Sequence, residues 1–74
     1  MNITDLHCGE RGVVLEVSSP EPLQGRLRSL NIRSGSAIRL LKVSFFKKTF
    51  LIQAGGSKIA LRKEVAACVS IRKL

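Results

Sequence analysis

Tryptophan and tyrosine are missing from this 74-residue chain, and only Phe45, Phe46 and Phe50 supply aromatic rings. Proteins that hold single-stranded nucleic acid stack bases on aromatic side chains, so that platform is scarcely available. Histidine occurs once, at His7, and the five carboxylates (Asp5, Glu10, Glu16, Glu21 and Glu64) show no i, i+3 or i+4 pairing. Acid–base and nucleophilic catalysis need such groups close together. No GxSxG, P-loop or HExxH pattern occurs either. A domain this short also rarely holds a deep pocket of about 300 Å³ with a supported catalytic shell. The expectation is a binding or regulatory module rather than an enzyme.

Cysteine is nearly as scarce. Cys8 and Cys68 sit near opposite ends without CxxC spacing. The opening residues, Met1-Asn2-Ile3-Thr4-Asp5, lack the charged and apolar regions of a signal peptide. No apolar run approaches the roughly eighteen residues that suggest a membrane span. These features predict a cytoplasmic chain with reduced thiols, in which Cys8 or Cys68 fills an ordinary small core position. Acidic residues are few as well: five against thirteen Lys and Arg, a net charge of +8. That excess points to an anionic partner, whether nucleic acid, an acidic protein surface or a lipid headgroup layer, unless it serves only solubility. The basic residues are dispersed, with Lys47-Lys48, Arg62-Lys63 and Arg72-Lys73 as the longest runs.

His7 and Cys8, with Asp5 nearby, are metal-ligating types, and Cys68 could approach them if the first and last strands are neighbours. A dedicated zinc site usually needs four ligands. His7, Cys8 and Cys68 are therefore weak metal candidates, suited to adventitious iron or zinc, and no cofactor is required. A metal site shared across a homodimer stays open.

The periodicity reads as short strands. Val13, Leu15 and Val17 alternate on one face and end at Ser18-Ser19-Pro20. Ser19 and the following prolines offer helix-start chemistry. Leu23, Leu27 and Leu30 then form a helical stripe. Asn31 falls at the left-handed position of a helix end, and Ile32 can close back on Leu27. A phase slip at Leu40-Leu41 predicts a β-bulge. Lys47-Lys48 marks a loop tip, Gly55-Gly56 a tight hairpin, and Lys63–Ala66 a short helical turn before Val69 and Ile71 alternate in a last strand. These elements predict one domain over residues 1–74, a small five-stranded β-barrel with one helix after its first strand. Its expected core is Val13, Leu15, Leu27, Leu30, Ile38, Val43, Ile59, Leu61, Val69 and Ile71, with Phe45 and Phe50 also inward and Phe46 the one exposed ring.

The ordered set Leu6, Gly9, Gly12-Val13-Val14, Arg26-Leu27, Leu30-Asn31-Ile32, Gly35-Ser36, Ile59-Ala60-Leu61-Arg62, Ala67 and Val69-Ser70-Ile71 resembles the FeoA family, over residues 3 to 72. The resemblance implies an SH3-like barrel in the cytosol. It implies a partner too: the membrane iron transporter FeoB, which carries a GTPase domain, with membrane contact only through that partner. The barrel also resembles the C-terminal domain of iron-dependent repressors, although no helix-turn-helix precedes it. Two departures from the family pattern stand out. Asn31 and Ser34 replace a Gly and a Pro, and Ser44-Phe45-Phe46-Lys47-Lys48 replaces an Ala-Pro-Leu-Gly-Asp-Pro type loop.

The groups expected to meet the partner are Arg26 and Arg33 flanking the helix, and Phe46, Lys47 and Lys48 at the hairpin tip. An exposed ring beside cations has the anchor-and-steering layout of interfaces. The rival class is a small basic barrel that binds nucleic acid electrostatically, with steep salt dependence.

Overall fold

The computed structural model describes all residues, Met1–Leu74. Five strands follow in order: β1 (Arg11–Val17), β2 (Ala37–Val43), β3 (Thr49–Ala54), β4 (Ser57–Arg62) and β5 (Val69–Lys73). Helix α1 (Leu23–Ser29) links β1 to β2, and the single turn α2 (Lys63–Ala66) links β4 to β5. The strands form one antiparallel sheet in the order β4-β3-β2-β1-β5. It bends around its core without β4 pairing to β5, so the SH3-like barrel is not closed.

The turns form where the chemistry dictates. Gly55 and Gly56 take φ of 58° and 87°, the left-handed values that a two-residue hairpin between paired Ala54 and Ser57 requires. Asn31 takes φ 67°. There the Ile32 N–H donates to the Leu27 carbonyl at 2.9 Å and the Asn31 N–H to the Arg28 carbonyl at 3.1 Å. This bond pair is a Schellman ending, and Ile32 is buried against Leu27 in the core. The start of α1 departs from expectation. Ser19 does not cap it; its hydroxyl is buried without a partner. Instead the Glu21 carboxylate accepts the Gly25 N–H at 2.8 Å, satisfying one of the helix's first free donors.

Two bulges set the faces. In β2 the register shifts between Leu40 and Lys42, at the expected slip. A second shift, between Val14 and Glu16, lies in β1 against β5. Leu15 is the extra residue there and turns outward at 53% exposure, while Val14 and Val17 are buried. The expected core is corrected on this strand: Leu15 leaves it, Val13 is only half-buried, and Val14 replaces them. Leu27, Ile38, Leu61, Val69 and Ile71 are buried as expected. Val43 and Ile59 are partly buried against that core, and Leu30 is half-buried.

The amino-terminal residues also belong to the core. Ile3 and Leu6 are buried, in and just after a 3₁₀ turn over Ile3–Asp5. The Asn2 side chain accepts the Thr4 N–H and the Asp5 carboxylate accepts the Asn2 N–H, both at 2.9 Å, a reciprocal cap. The turn is tied to β5, where the Ile71 N–H donates to the Met1 carbonyl at 2.9 Å.

Candidate functional site

The loop between β2 and β3 folds into a tight turn over Phe45–Lys47. Phe46 and Lys47 both hold left-handed backbone, at φ 70° and 55°. Left-handed backbone costs a residue with a Cβ about 1–2 kcal/mol. Ser44 stabilises the turn: its hydroxyl accepts the Thr49 N–H at 2.9 Å and the Lys48 N–H at 3.2 Å, and its carbonyl accepts the Lys47 N–H at 2.9 Å. The resulting conformation throws Phe45 and Phe46 outward, 86% and 80% exposed. The rings meet edge to face with centroids 5.0 Å apart, a favoured aromatic geometry. Phe50 alone of the three is buried. The inward placement expected for Phe45 is thus corrected, because the tight turn breaks the strand alternation that predicted it.

A second basic pair joins the tip. Thr49 pairs with Arg62 across β3 and β4, and the Lys63 N–H donates to the Lys48 carbonyl at 2.9 Å. Phe46, Lys48, Thr49, Arg62, Lys63 and Glu64 line an open groove of about 520 Å³. The only ion pairs of the molecule are His7 and Lys73 with Glu10. Lys47, Lys48, Arg62 and Lys63 therefore have no ion-pair partner, and the last three share the groove with Phe46. The sequence reading places Phe46, Lys47 and Lys48 at this tip but not Phe45, Arg62 and Lys63. The signal for the last two was a dibasic pair one hairpin later, which antiparallel pairing returns to the tip.

Arg26 and Arg33 are exposed too, but they do not join this cluster. Arg33 precedes the start of β2 and the tip follows its end, and seven extended residues span roughly 20 Å. Arg33 instead shares a concave groove of about 400 Å³ with Arg28 and Gln24, over Leu15, Val17 and Ile32. Arg28 rather than Arg26 lines it. Leu15 joins because the β1 bulge turns it outward.

His7, Cys8 and Asp5 line a smaller cavity of about 250 Å³ next to Val43, Lys47 and Phe50. Cys8 is exposed rather than a core residue, and Cys68 is half-buried, its thiol 3.3 Å from the Glu64 carbonyl. No group of three or more His, Cys, Asp or Glu side chains comes close enough to hold a metal ion. His7 turns toward Glu10, whose carboxylate accepts the His7 backbone N–H at 2.6 Å. The Lys73 ammonium, with the His7 backbone N–H second, pulls the Glu10 carboxyl down from 4.5 to about 2.

Comparison with known proteins decides the family, since the family model described as the FeoA domain matches residues 1–73. The chain belongs to the FeoA family. No curated protein matches it in sequence. Among solved structures it is similar to a FeoA protein from Chlorobium tepidum, with a TM-score of 0.94 and 20% identity, covering 100% of this chain and 70% of that one. It is also similar to Stenotrophomonas maltophilia FeoA complexed with zinc, described as an SH3 domain protein and a candidate ferrous iron transport activating factor. There the TM-score is 0.85 and the identity 25%, over 97% of this chain and 89% of that one. A manganese-dependent transcriptional repressor shares the fold at a TM-score of 0.86 and 21% identity, and this chain covers 36% of it. No helix is long and apolar enough to cross a membrane.

Proposed function

We propose that this protein is a cytoplasmic, non-enzymatic accessory of ferrous iron uptake that binds the cytosolic GTPase portion of a FeoB-like membrane transporter and modulates transport. The FeoA match over residues 1–73 carries this reading. The groove between β1 and α1 supports it with a suitable docking surface. Its floor of Leu15, Val17 and Ile32 accepts an apolar side chain, and Arg28 and Arg33 stand beside it. Guanidinium groups bind carboxylates in a bidentate fork, so the partner segment carries an acidic residue next to an apolar one. Arg26, two residues earlier on α1 and outside the groove lining, steers approach rather than seating the partner. No resident metal is part of the reading, and iron or zinc taken up at His7 and Cys8 is weakly held.

The test is capture of the detergent-solubilised transporter, together with iron uptake in cells. Arg28→Glu/Arg33→Glu should abolish capture and alter uptake. Retained capture, or uptake unaffected by deletion of the protein, overturns the reading.

A further inference from the structure

We propose that the β2–β3 tip docks directly on an anionic lipid bilayer, with Phe45 and Phe46 entering the boundary between headgroups and acyl chains and Lys47, Lys48, Arg62 and Lys63 meeting lipid phosphates. The family resemblance implies membrane contact only through a partner; the tip adds a direct one.

Three observations converge on it. The first is shape. The two rings stand off the molecule at 86% and 80% exposure, so they form a projection. A protein partner would need a deep double pocket to receive them, whereas a bilayer receives a projecting apolar tip without one. The second is charge. Lys48, Arg62 and Lys63 line the groove beside Phe46, with Glu64 as its one acidic member. Lys47 follows Phe46 in the chain, and none of these four cations has an ion-pair partner. Basic side chains beside inserted apolar ones are the arrangement that binds anionic lipid, the apolar groups below and the cations at phosphate level. The third is backbone. Two successive side-chain-bearing residues, Phe46 and Lys47, are held left-handed by Ser44. Local strain of this kind persists where the surrounding structure enforces it, and it clusters at functional sites. Here it fixes both rings outward, so little ordering remains to be done on docking.

This contact lies at the other end of β2 from the groove assigned to the transporter. It is tested without the transporter, so its failure leaves that reading standing. The experiment is co-sedimentation of the full chain with vesicles at physiological ionic strength, using equimolar phosphatidylcholine and phosphatidylglycerol against phosphatidylcholine alone. Binding is expected to the anionic vesicles only. Phe45→Ala/Phe46→Ala should weaken it by about tenfold or more, and Lys47→Glu/Lys48→Glu by about tenfold or more. Arg28→Glu/Arg33→Glu makes the same change in net charge in the groove at the other end of β2, and screening over about 8 Å limits its reach. It should stay within about threefold of the parent. Thermal melts of each variant confirm that it is folded. No binding to anionic vesicles overturns the proposal. So do equal losses in the two charge-reversed variants, or undiminished binding without the rings, either of which means diffuse electrostatic adsorption. Ring-dependent capture of the transporter in detergent by a chain that ignores vesicles would make the tip a protein interface and likewise overturn it.

Discussion

The Asn31 side chain leans on the backbone of Gly55: a Cβ built on Gly55 would stand 2.7 Å from Asn31 Nδ2 and 3.1 Å from its Cγ. One residue ends α1 and the other turns the β3–β4 hairpin, and both are left-handed, at φ 67° and 58°. The contact joins helix to hairpin. It predicts coupling. Asn31→Gly should be near neutral, because Gly suits the left-handed position, while Asn31→Val should cost about 1–2 kcal/mol. Gly55→Ala should cost less in the Asn31→Gly background than alone, by about 1 kcal/mol, since the clash is then relieved. Chemical denaturation of the four-member cycle measures it; strict additivity would mean that the contact carries no energy.

Glu10 gives a pH signature. Its carboxyl is lowered from 4.5 to about 2 in the folded chain, first by Lys73 and then by the His7 backbone. A depressed folded value stabilises above the unfolded value, and that contribution fades as pH falls toward the folded one. The excess stability of the parent over Glu10→Gln should therefore be full above about pH 5 and be lost as pH falls through about 2. Melting temperatures of both proteins across that range check it, and a pH-independent difference would contradict the Lys73 pairing.

The outward Leu15 separates two accounts of β1. Leu15→Ala should change stability by no more than about 0.5 kcal/mol. Ile71→Ala and Leu61→Ala should each cost about 2–5 kcal/mol, enough to unfold much of so small a domain. An equal loss at Leu15 would restore the uninterrupted alternation.

The tip should trade stability against function. Phe46→Gly removes the left-handed penalty and is expected to stabilise the chain by about 1 kcal/mol, while its adsorption to anionic vesicles declines. A lower melting temperature in Phe46→Gly would show that the ring contributes to the fold.

Much of this architecture could be read directly. The Leu23, Leu27 and Leu30 stripe, Asn31 at the helix end, the Gly55-Gly56 hairpin and the bulge at Leu40 each have a local chemical cause, and all appear in the structure. The phase of β1 could not be read, because Val13, Val14, Leu15 and Val17 are all apolar and either face satisfies hydropathy. Pairing with β5 places the bulge. Ile3 and Leu6 are missing from the expected core because they stand alone in a polar segment and are covered by a strand that comes last. Arg62 and Lys63 form one dibasic pair among several in the sequence, and only antiparallel pairing brings them to the tip, while the groove around Arg28 and Arg33 depends on the outward Leu15.

The bridge between Asn2 and Ser70 and the Ile71-to-Met1 bond have a consequence for biosynthesis. Residues 1–6 are translated before the β5 strand that holds them, and β1 has β5 as a neighbour. The buried Ile3 and Leu6 thus lack their β5 cover until Val69–Lys73 has been translated. Contacts this distant in sequence close late. The nascent chain must carry its apolar β1 uncovered on that side until then, the state in which chaperones meet small β domains.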